Sequence, residues 1–292
     1  MRPDDASRVD FWRALAPELS IESARGPLDV SLPPAEMLLP DLRREGYVHV
    51  EGALDVSAVA RVREVILRMV AQGIPLPFVF VYDEPWALFA SLRPFLAAAL
   101  GEAYRGLPDF WAWHVAPDDD ARGWGPHRDR VRPTLDAANN PMSLTVWLPL
   151  TDATTLNGCI HVLPAHLDPR FESRVWDGPE GASVRAPQDI RALPAGAGSL
   201  LAWNQSLLHW GGRASRLATG PRISLSSEFQ RGDRTPYNPP LYDPQTRPGF
   251  LVRLGLVGKQ LLQYRHMYPL DAAMAALAED LRERHVPYGE EM

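Results

Sequence analysis

The chain has a single cysteine, a single lysine and no long hydrophobic run. The lack of a second cysteine and of apolar runs excludes internal disulfides and argues against membrane spans. Cys159 alone cannot form an internal disulfide, which agrees with a reducing, cytoplasmic compartment. No apolar run reaches ~18 residues, so no transmembrane helix is expected, and the first residues lack the apolar segment of a signal peptide. Because nucleic-acid binding needs a basic surface, the net charge of −6 argues against nucleic acid as a partner.

The remaining composition is that of an ordinary globular protein. Hydrophobic residues make up 46% of the chain and charged residues 23%. A chain of 292 residues can bury a sizeable core. Its length suggests roughly two domains of ~150 residues, but β-barrels and sandwiches often use more in one domain. We predict one domain over 1–292, with a helical part at about 1–105, a β core at about 106–231 and a C-terminal extension at about 232–292.

Helices are predicted where apolar residues recur at helical spacing between glycine and proline boundaries. The predicted helices span residues 33–46, 56–73, 86–101, about 256–267 and 270–284. The first two end at Gly46 and Gly73, since glycine is a common helix stop. The run FVFVY at 78–82 is predicted to be a short strand.

The pattern changes to short segments rich in β-branched and aromatic residues, bounded by turn-formers. These predicted strands are 109–115, 143–150, 158–164, 198–204 and 221–229. Such a series is typical of an all-β sandwich or barrel, here with helices on its flanks. The loop at 165–195 is long and polar, and we expect it to act as a lid that orders when substrate binds.

The stretch GWGPHRDRV holds the first candidate metal ligands, His127 and Asp129. In an extended segment these two residues point to the same face. A third ligand is offered by His209, directly after the predicted strand at 198–204. Two histidines and one carboxylate form the facial triad of non-haem Fe(II) oxygenases. His-x-Asp alone is a weak signal, and a simple hydrogen bond between the two side chains in a loop is the competing interpretation.

A candidate anion site follows on the strand PRISLSS, where Arg222 and Ser224 share a face. An arginine can hold a carboxylate through two parallel hydrogen bonds, and a neighbouring hydroxyl can add another. Together they are suited to the distal carboxylate of 2-oxoglutarate. The alternative is a structural ion pair between Arg222 and an acidic side chain.

The order HRD, TVWLPLTDATTLNGCIHVLPAH, GSLLAWNQSLLHWGG, PRISLSSEF resembles the phytanoyl-CoA dioxygenase (PhyH) family of Fe(II)/2-oxoglutarate oxygenases. The family's turn motif is matched by Leu150, Asp152, Ala153, Asn157, Gly158 and Cys159. The resemblance covers roughly residues 40–230 and implies a double-stranded β-helix (jelly-roll, cupin-like) core. The family's Pro-Gly-Ser-His segment is shortened here to Pro164-Ala165-His166.

The resemblance also implies the cofactors and the site. It makes His127, Asp129 and His209 the catalytic iron ligands, and Arg222, Ser224 and Thr145 the residues that bind 2-oxoglutarate. Dioxygen would be the second co-substrate. Four tryptophans lie on or beside predicted strands, and most are expected to be core aromatics: Trp111, Trp113, Trp203 and Trp210.

The leading hypothesis is therefore an Fe(II)- and 2-oxoglutarate-dependent dioxygenase that hydroxylates a small organic molecule and forms succinate and CO2. Desaturation, epoxidation or ring formation are alternative outcomes of the same reaction class. Acyl-CoA specificity does not follow from the resemblance, so the substrate stays open between a secondary metabolite, an amino-acid derivative and a lipid or acyl compound. The alternative hypothesis is a non-catalytic or differently metallated cupin-like ligand-binding protein.

Overall fold

The computed structural model describes residues 3–23, 28–117, 124–130, 133–171, 186–287, 289 and 291. Its strands are β1 Tyr47–Val50, β2 Arg105–Val115, β3 Ser143–Pro149, β4 Ile160–Leu163, β5 Arg191–Leu193, β6 Leu200–Asn204, β7 Leu208–Gly211 and β8 Arg222–Gln230. They form an antiparallel sheet of order β1-β6-β3-β8-β2 and a smaller antiparallel sheet of order β5-β4-β7. The expected core of antiparallel sheets with flanking helices is thus confirmed.

The helices lie in the N-terminal third of the chain and near its C-terminal end. They are α1 Pro3–Ala6, α2 Val9–Leu15, α3 Ala35–Glu45, α4 Val56–Ala71, α5 Asp83–Ala90, α6 Arg93–Leu100, α7 Phe250–Gln263 and α8 Ala272–His285. The predicted stop of α3 is confirmed, since Gly46 adopts a left-handed φ of 81° and its N–H bonds the Leu42 carbonyl. None of the helices in the described ranges is long and apolar enough to cross a bilayer.

The two faces of the larger sheet have different partners. Leu144, Val146 and Leu148 of β3 belong to the large hydrophobic cluster that the helices form with this sheet. The alternating residue Trp147 belongs to a second cluster, shared with Ile160 and other residues of the smaller sheet. Because side chains alternate along a strand, every residue of β3 is buried although only half of them meet the helices. The inner face therefore lies between the two sheets.

Two predicted elements of the helical part were wrong in kind or extent. FVFVY is not a strand, because residues Leu76–Val81 form a 3-10 helix that is nearly all buried. A short apolar run has no periodicity that separates a strand from a buried helical turn, and a proline in its first turn favours the latter. The single helix at 86–101 is two helices, and α6 starts afresh with Pro94 in its first turn.

The predicted strands of the β core are all present, with small shifts at their ends. β2 starts at Arg105, earlier than predicted, and carries an irregularity between Gly106 and Phe110. The short strands β1, β5 and β7 were missed, since none is long enough to show alternation. Residues 172–185 of the expected lid lie outside the described residues, so the lid remains a prediction.

The Asn157-Gly158 turn precedes β4 and packs against the residues that follow β7. The Asn157 side chain accepts the Thr154 N–H at 2.7 Å and donates to the Asp152 carbonyl at 2.8 Å. Gly158 has a φ of 94°, and a Cβ there would lie 2.4 Å from the carbonyl oxygen of Gly212. Only glycine fits both the backbone angle and the space.

We expect Gly158→Ala to lower the free energy of unfolding by about 2–4 kcal/mol, because it combines a strained left-handed backbone with a backbone clash. Urea unfolding followed by circular dichroism measures the change. Gly220→Ala is the matched control, since nothing lies within 4 Å of a Cβ there and its φ is not positive. Equal stability of the two variants would contradict the role of this turn.

Candidate functional site

A cavity of about 250 Å³ opens between the two sheets. The larger sheet contributes tryptophans from β2, β3 and β6, and β7 contributes His209. The lining residues are Trp111, Trp113, Val115, Trp124, His127, Asp129, Thr145, Trp147, Ile160, Trp203, His209, Gly211, Arg222, Ser226, Glu228, Tyr264, His266 and Met267. Five tryptophans line the cavity, so more of them face it than the sequence suggested.

The structure brings His127, Asp129 and His209 together at this cavity. One ligand atom from each lies within 4.8 Å of the others. The Asp129 Oδ1 atom is 3.4 Å from Nε2 of His127 and 3.3 Å from Nε2 of His209. The backbone sets this proximity, since His127 and His209 exchange two N–H···O hydrogen bonds of 3.0 Å as an isolated bridge beside β7. This backbone bridge therefore brings the two imidazoles and the Asp129 carboxylate close together.

Both histidines present Nε2 to this point. Nδ1 of His127 bonds the Gly125 carbonyl at 2.8 Å, and Nδ1 of His209 bonds the Leu207 carbonyl at 3.0 Å. A carbonyl can only accept, so Nδ1 carries the proton of each neutral ring and Nε2 keeps a free lone pair. Hydrogen bonds of this kind orient imidazole ligands in metal sites.

The Asp129 carboxylate is oriented in the same way. Its Oδ2 accepts the Thr145 hydroxyl at 2.6 Å and the Trp203 indole N–H at 2.9 Å, which leaves Oδ1 for the two histidines. Burial raises the pKa of Asp129, but His209 and His127 outweigh it and hold that pKa well below its usual range. Burial lowers the pKa of His209, yet the carboxylate of Asp129 raises it overall. The three groups are thus electrostatically coupled.

We expect Trp203→Phe and Thr145→Val each to weaken metal binding by about 10- to 100-fold, because each removes a donor that keeps Asp129 in place. Anaerobic titration with Fe(II) or Mn(II) gives the dissociation constants. Trp210→Phe is the control: this indole stacks on His161 and does not line the cavity. An unchanged affinity in both site variants would show that Asp129 needs neither donor.

Arg222 lies in the same cavity and differs from an ordinary buried arginine. Its side chain is buried, yet among the described residues no carboxylate forms an ion pair with it and its Nε has no hydrogen-bond partner. Burial lowers the pKa of Arg222 to about 10. The hydroxyl of Ser224 is also buried without a partner in the described structure. The anticipated alternative, a structural ion pair, is therefore not seen, and the guanidinium is available to an anion.

The other arginines near this strand are placed differently. Arg213 and Arg216 are exposed and lie in the turn between β7 and β8. Neither lines the cavity.

Some contributors to the site, or the contacts that they make, were not recognised in the sequence. Thr145 was expected at the co-substrate, and it does line the cavity, but its hydroxyl donates to Asp129. Trp203, expected to be a core aromatic, donates to the same carboxylate. Glu228 belongs to no recognised motif, and it faces the cavity from β8. Alternation along the strand PRISLSSEF places Glu228 on the Arg222 face, which is the signal that would have found it.

Residues 91–217 match the model of the phytanoyl-CoA dioxygenase (PhyH) family. This range contains all three convergent side chains, but it ends before Arg222. No curated protein matches the chain in sequence.

Several solved structures share the fold. AviO1 from Streptomyces viridochromogenes Tue57 is 21% identical, with 73% of this chain and 99% of that one covered and a TM-score of 0.55. The nickel complex of the non-heme monooxygenase ThoJ is 15% identical over 78% and 97%, with a TM-score of 0.56. The epimerase SnoN in complex with Fe3+, alpha ketoglutarate and nogalamycin RO is 22% identical over 74% and 94%, with a TM-score of 0.51. At these identities the likeness concerns the fold.

Proposed function

Because residues 91–217 match the model of the phytanoyl-CoA dioxygenase (PhyH) family, we propose that this chain is an Fe(II)- and 2-oxoglutarate-dependent oxygenase acting on a small organic molecule. One observation carries the proposal. A cluster of two imidazoles and one carboxylate shares a cavity with a buried guanidinium that has no ion-pair partner among the described residues. The two imidazoles and the carboxylate suit Fe(II) with open coordination positions. The guanidinium suits the distal carboxylate of 2-oxoglutarate.

We assign His127, Asp129 and His209 as the iron ligands. The donor set fits Fe(II), since Nε2 of both histidines and Oδ1 of Asp129 have no competing hydrogen bond from the surrounding residues described. When bound, iron and 2-oxoglutarate supply the activation of dioxygen that oxidises a substrate carbon, with succinate and CO2 as co-products. Hydroxylation is the simplest outcome, and desaturation, epoxidation and ring formation belong to the same class.

We assign Arg222 and Ser224 to the co-substrate. The fork of Arg222 would hold the distal carboxylate through two hydrogen bonds, and the Ser224 hydroxyl would add one. The Arg222 Nε and the Ser224 hydroxyl are buried without partners among the residues that the structure describes, so a carboxylate between them would satisfy polar atoms that are otherwise costly to bury. We also assign Thr145 to the co-substrate. Its hydroxyl donates to Asp129 and so holds that carboxylate in the orientation that exposes a single oxygen.

The aromatic walls would exclude water from the reacting centre. Trp147 lies beside Arg222, with the guanidinium carbon 5.8 Å from the ring centroid. Trp203 lies against His209, with ring centroids 4.6 Å apart. A dry cavity strengthens every electrostatic contact inside it and protects reactive intermediates from side reactions.

The finer architecture is part of the same proposal. The two antiparallel sheets would be the two halves of a double-stranded β-helix, within one oxygenase domain over 1–292 that has a helical part at about 1–105 and a C-terminal extension at about 232–292. A cytoplasmic location and the absence of nucleic-acid or membrane partners stay predictions from the composition.

The decisive experiment adds Fe(II) and then 2-oxoglutarate to the metal-free protein under anaerobic conditions. A weak visible charge-transfer band that appears only with both additions supports the oxygenase. Metal binding without a band and without affinity for 2-oxoglutarate would indicate the alternative, a cupin-like ligand-binding protein. Succinate formation in air, screened against a library of small molecules, then identifies the substrate.

A further inference from the structure

The inner face of β8 carries opposite charges at its two ends. Alternation along the strand places Arg222, Ser224, Ser226 and Glu228 on one face. At ~3.3 Å per residue the Cα atoms of the two charged residues lie roughly 20 Å apart. Arg222 and Glu228 both line the cavity that holds the iron ligands. If Arg222 receives 2-oxoglutarate, the Glu228 end is left for the substrate, so the inference rests on the proposed function.

Glu228 shares its cation with a second carboxylate. Nη2 of Arg130 contacts Oε2 of Glu228 and also lies 3.1 Å from Oδ2 of Asp109. Asp109 has further donors, the Tyr264 hydroxyl at 2.5 Å and the Asn238 amide at 2.8 Å. Glu228 has one further donor, the Gln205 side chain, although it is as deeply buried. Its carboxylate is therefore the less compensated of the two.

A second cation nearby, Lys259, is turned towards Asp109. Nζ of Lys259 bonds the side-chain oxygens of Asn238 at 2.6 Å and Gln263 at 2.9 Å, and both of these amides donate to Asp109. Lys259 does not line the cavity. Burial raises the pKa of Glu228 well above its usual range, and Arg130 opposes that rise without cancelling it. A cation supplied from the cavity would relieve this cost.

Aromatic rings flank the space in front of Glu228. Trp111 and Tyr264 contact each other edge to face at a centroid distance of 5.2 Å, and both line the cavity. Trp111 is paired with Ser226, the small residue next to Glu228 on the same face. Among the described residues that line the cavity, Arg222 at the far end is the sole arginine or lysine. A carboxylate beside aromatic faces is the chemistry that recognises organic ammonium groups.

We propose that the substrate is an amine, whose protonated nitrogen binds the Glu228 carboxylate beside Trp111 and Tyr264. This assignment makes Glu228 the specificity-determining residue of the site. It disfavours substrates whose polar end is anionic, such as acyl-CoA compounds, because that end would meet the buried Glu228 carboxylate. The cation paired with this carboxylate, Arg130, is not among the described residues that line the cavity.

The test uses phenethylamine and phenethyl alcohol, which differ in the ammonium and hydroxyl groups and share the phenyl ring. Dissociation constants are measured for the metal-free full-length protein by quenching of tryptophan fluorescence, and again with Mn(II) and 2-oxoglutarate bound. We expect the ammonium to bind at least about tenfold more tightly than the alcohol in both states. Glu228→Gln should reduce this preference to less than about threefold.

Glu64→Gln is the matched control, because it makes the same change on the exposed surface of α4 and should keep the preference. Trp111→Leu provides a second variant should Glu228→Gln fail to fold, and it should also lower the ratio of the two affinities. Equal binding of ammonium and alcohol to the parent protein would overturn the proposal, as would a preference that survives in Glu228→Gln.

The outcome is separate from that of the proposed function. A charge-transfer band with Fe(II) and 2-oxoglutarate but no ammonium preference would leave the oxygenase in place and refute the substrate class. An ammonium preference in the metal-free protein without any charge-transfer band would refute the oxygenase and leave the amine-binding site in place.

Discussion

Asp129→Ala, His127→Ala and His209→Ala are each expected to abolish Fe(II)-dependent turnover of 2-oxoglutarate while the fold is retained. Loss of a residue that merely orients a ligand costs about 10- to 100-fold in metal affinity or activity, so loss of the ligand itself should cost two or more orders of magnitude. The physical reason is the convergence of three ligand atoms within 4.8 Å, which a methyl group cannot replace. Succinate formation and anaerobic Fe(II) titration measure the two effects.

His161→Ala is the control for these variants. His161 lies on β4, next to the strand that carries His209, but its ring stacks on Trp210 and does not line the cavity. It should keep both metal affinity and turnover, and circular dichroism should show that all four variants are folded. Near-normal turnover at low Fe(II) in any one of the site variants would mean that the residue is not a ligand.

Arg222→Ala is expected to weaken 2-oxoglutarate binding by roughly 30- to several-thousand-fold, since removing one partner of a buried charge-assisted pair typically costs ~2–5 kcal/mol. Arg222→Lys should rescue only part of the loss, because an ammonium offers a point charge without the planar fork. Ser224→Ala should cost about 0.5–1.5 kcal/mol for its single hydrogen bond. Fe(II) affinity should barely change, because neither side chain is among the three convergent groups.

Replacing Arg222 by an apolar side chain of similar length should have the opposite effect on stability. Burial that lowers the pKa of Arg222 to about 10 corresponds to a cost on the order of 3 kcal/mol for keeping the charged form folded. Arg222→Met should therefore raise the free energy of unfolding of the ligand-free protein, by about 1–3 kcal/mol. A gain in stability together with a loss of co-substrate binding identifies a residue retained for its ligand.

Arg213→Ala and Arg216→Ala serve as controls, since both arginines are exposed in the turn before β8. Isothermal titration with 2-oxoglutarate, in the presence of Mn(II), compares the three variants with the parent. If Arg222→Ala binds like the parent while one of the turn variants does not, the assignment of the arginine is wrong. If none of the three matters, the 2-oxoglutarate assignment fails with it.

The sequence by itself determined which residues are candidates for chemistry. His127 and Asp129 are two residues apart, and Arg222 and Ser224 likewise, so the period of an extended chain is enough to put each pair on one face. The first pair precedes His209 in the chain and the second follows it, and this order indicated the family resemblance. The five predicted strands of the core were recognisable for the same local reason, because alternation and turn residues are properties of a few consecutive positions.

The tertiary structure decided what each of these residues contacts. The Thr145 hydroxyl reaches Asp129, and the Trp203 indole reaches the same oxygen from 74 positions away in the chain. The pairing of Glu228 with Arg130, 98 positions apart, follows from the register of β8 and its neighbours. Such contacts depend on strand order and register, which no local pattern encodes. For that reason the place of Glu228 in the cavity, and the substrate class that we propose for it, emerged only from the folded chain.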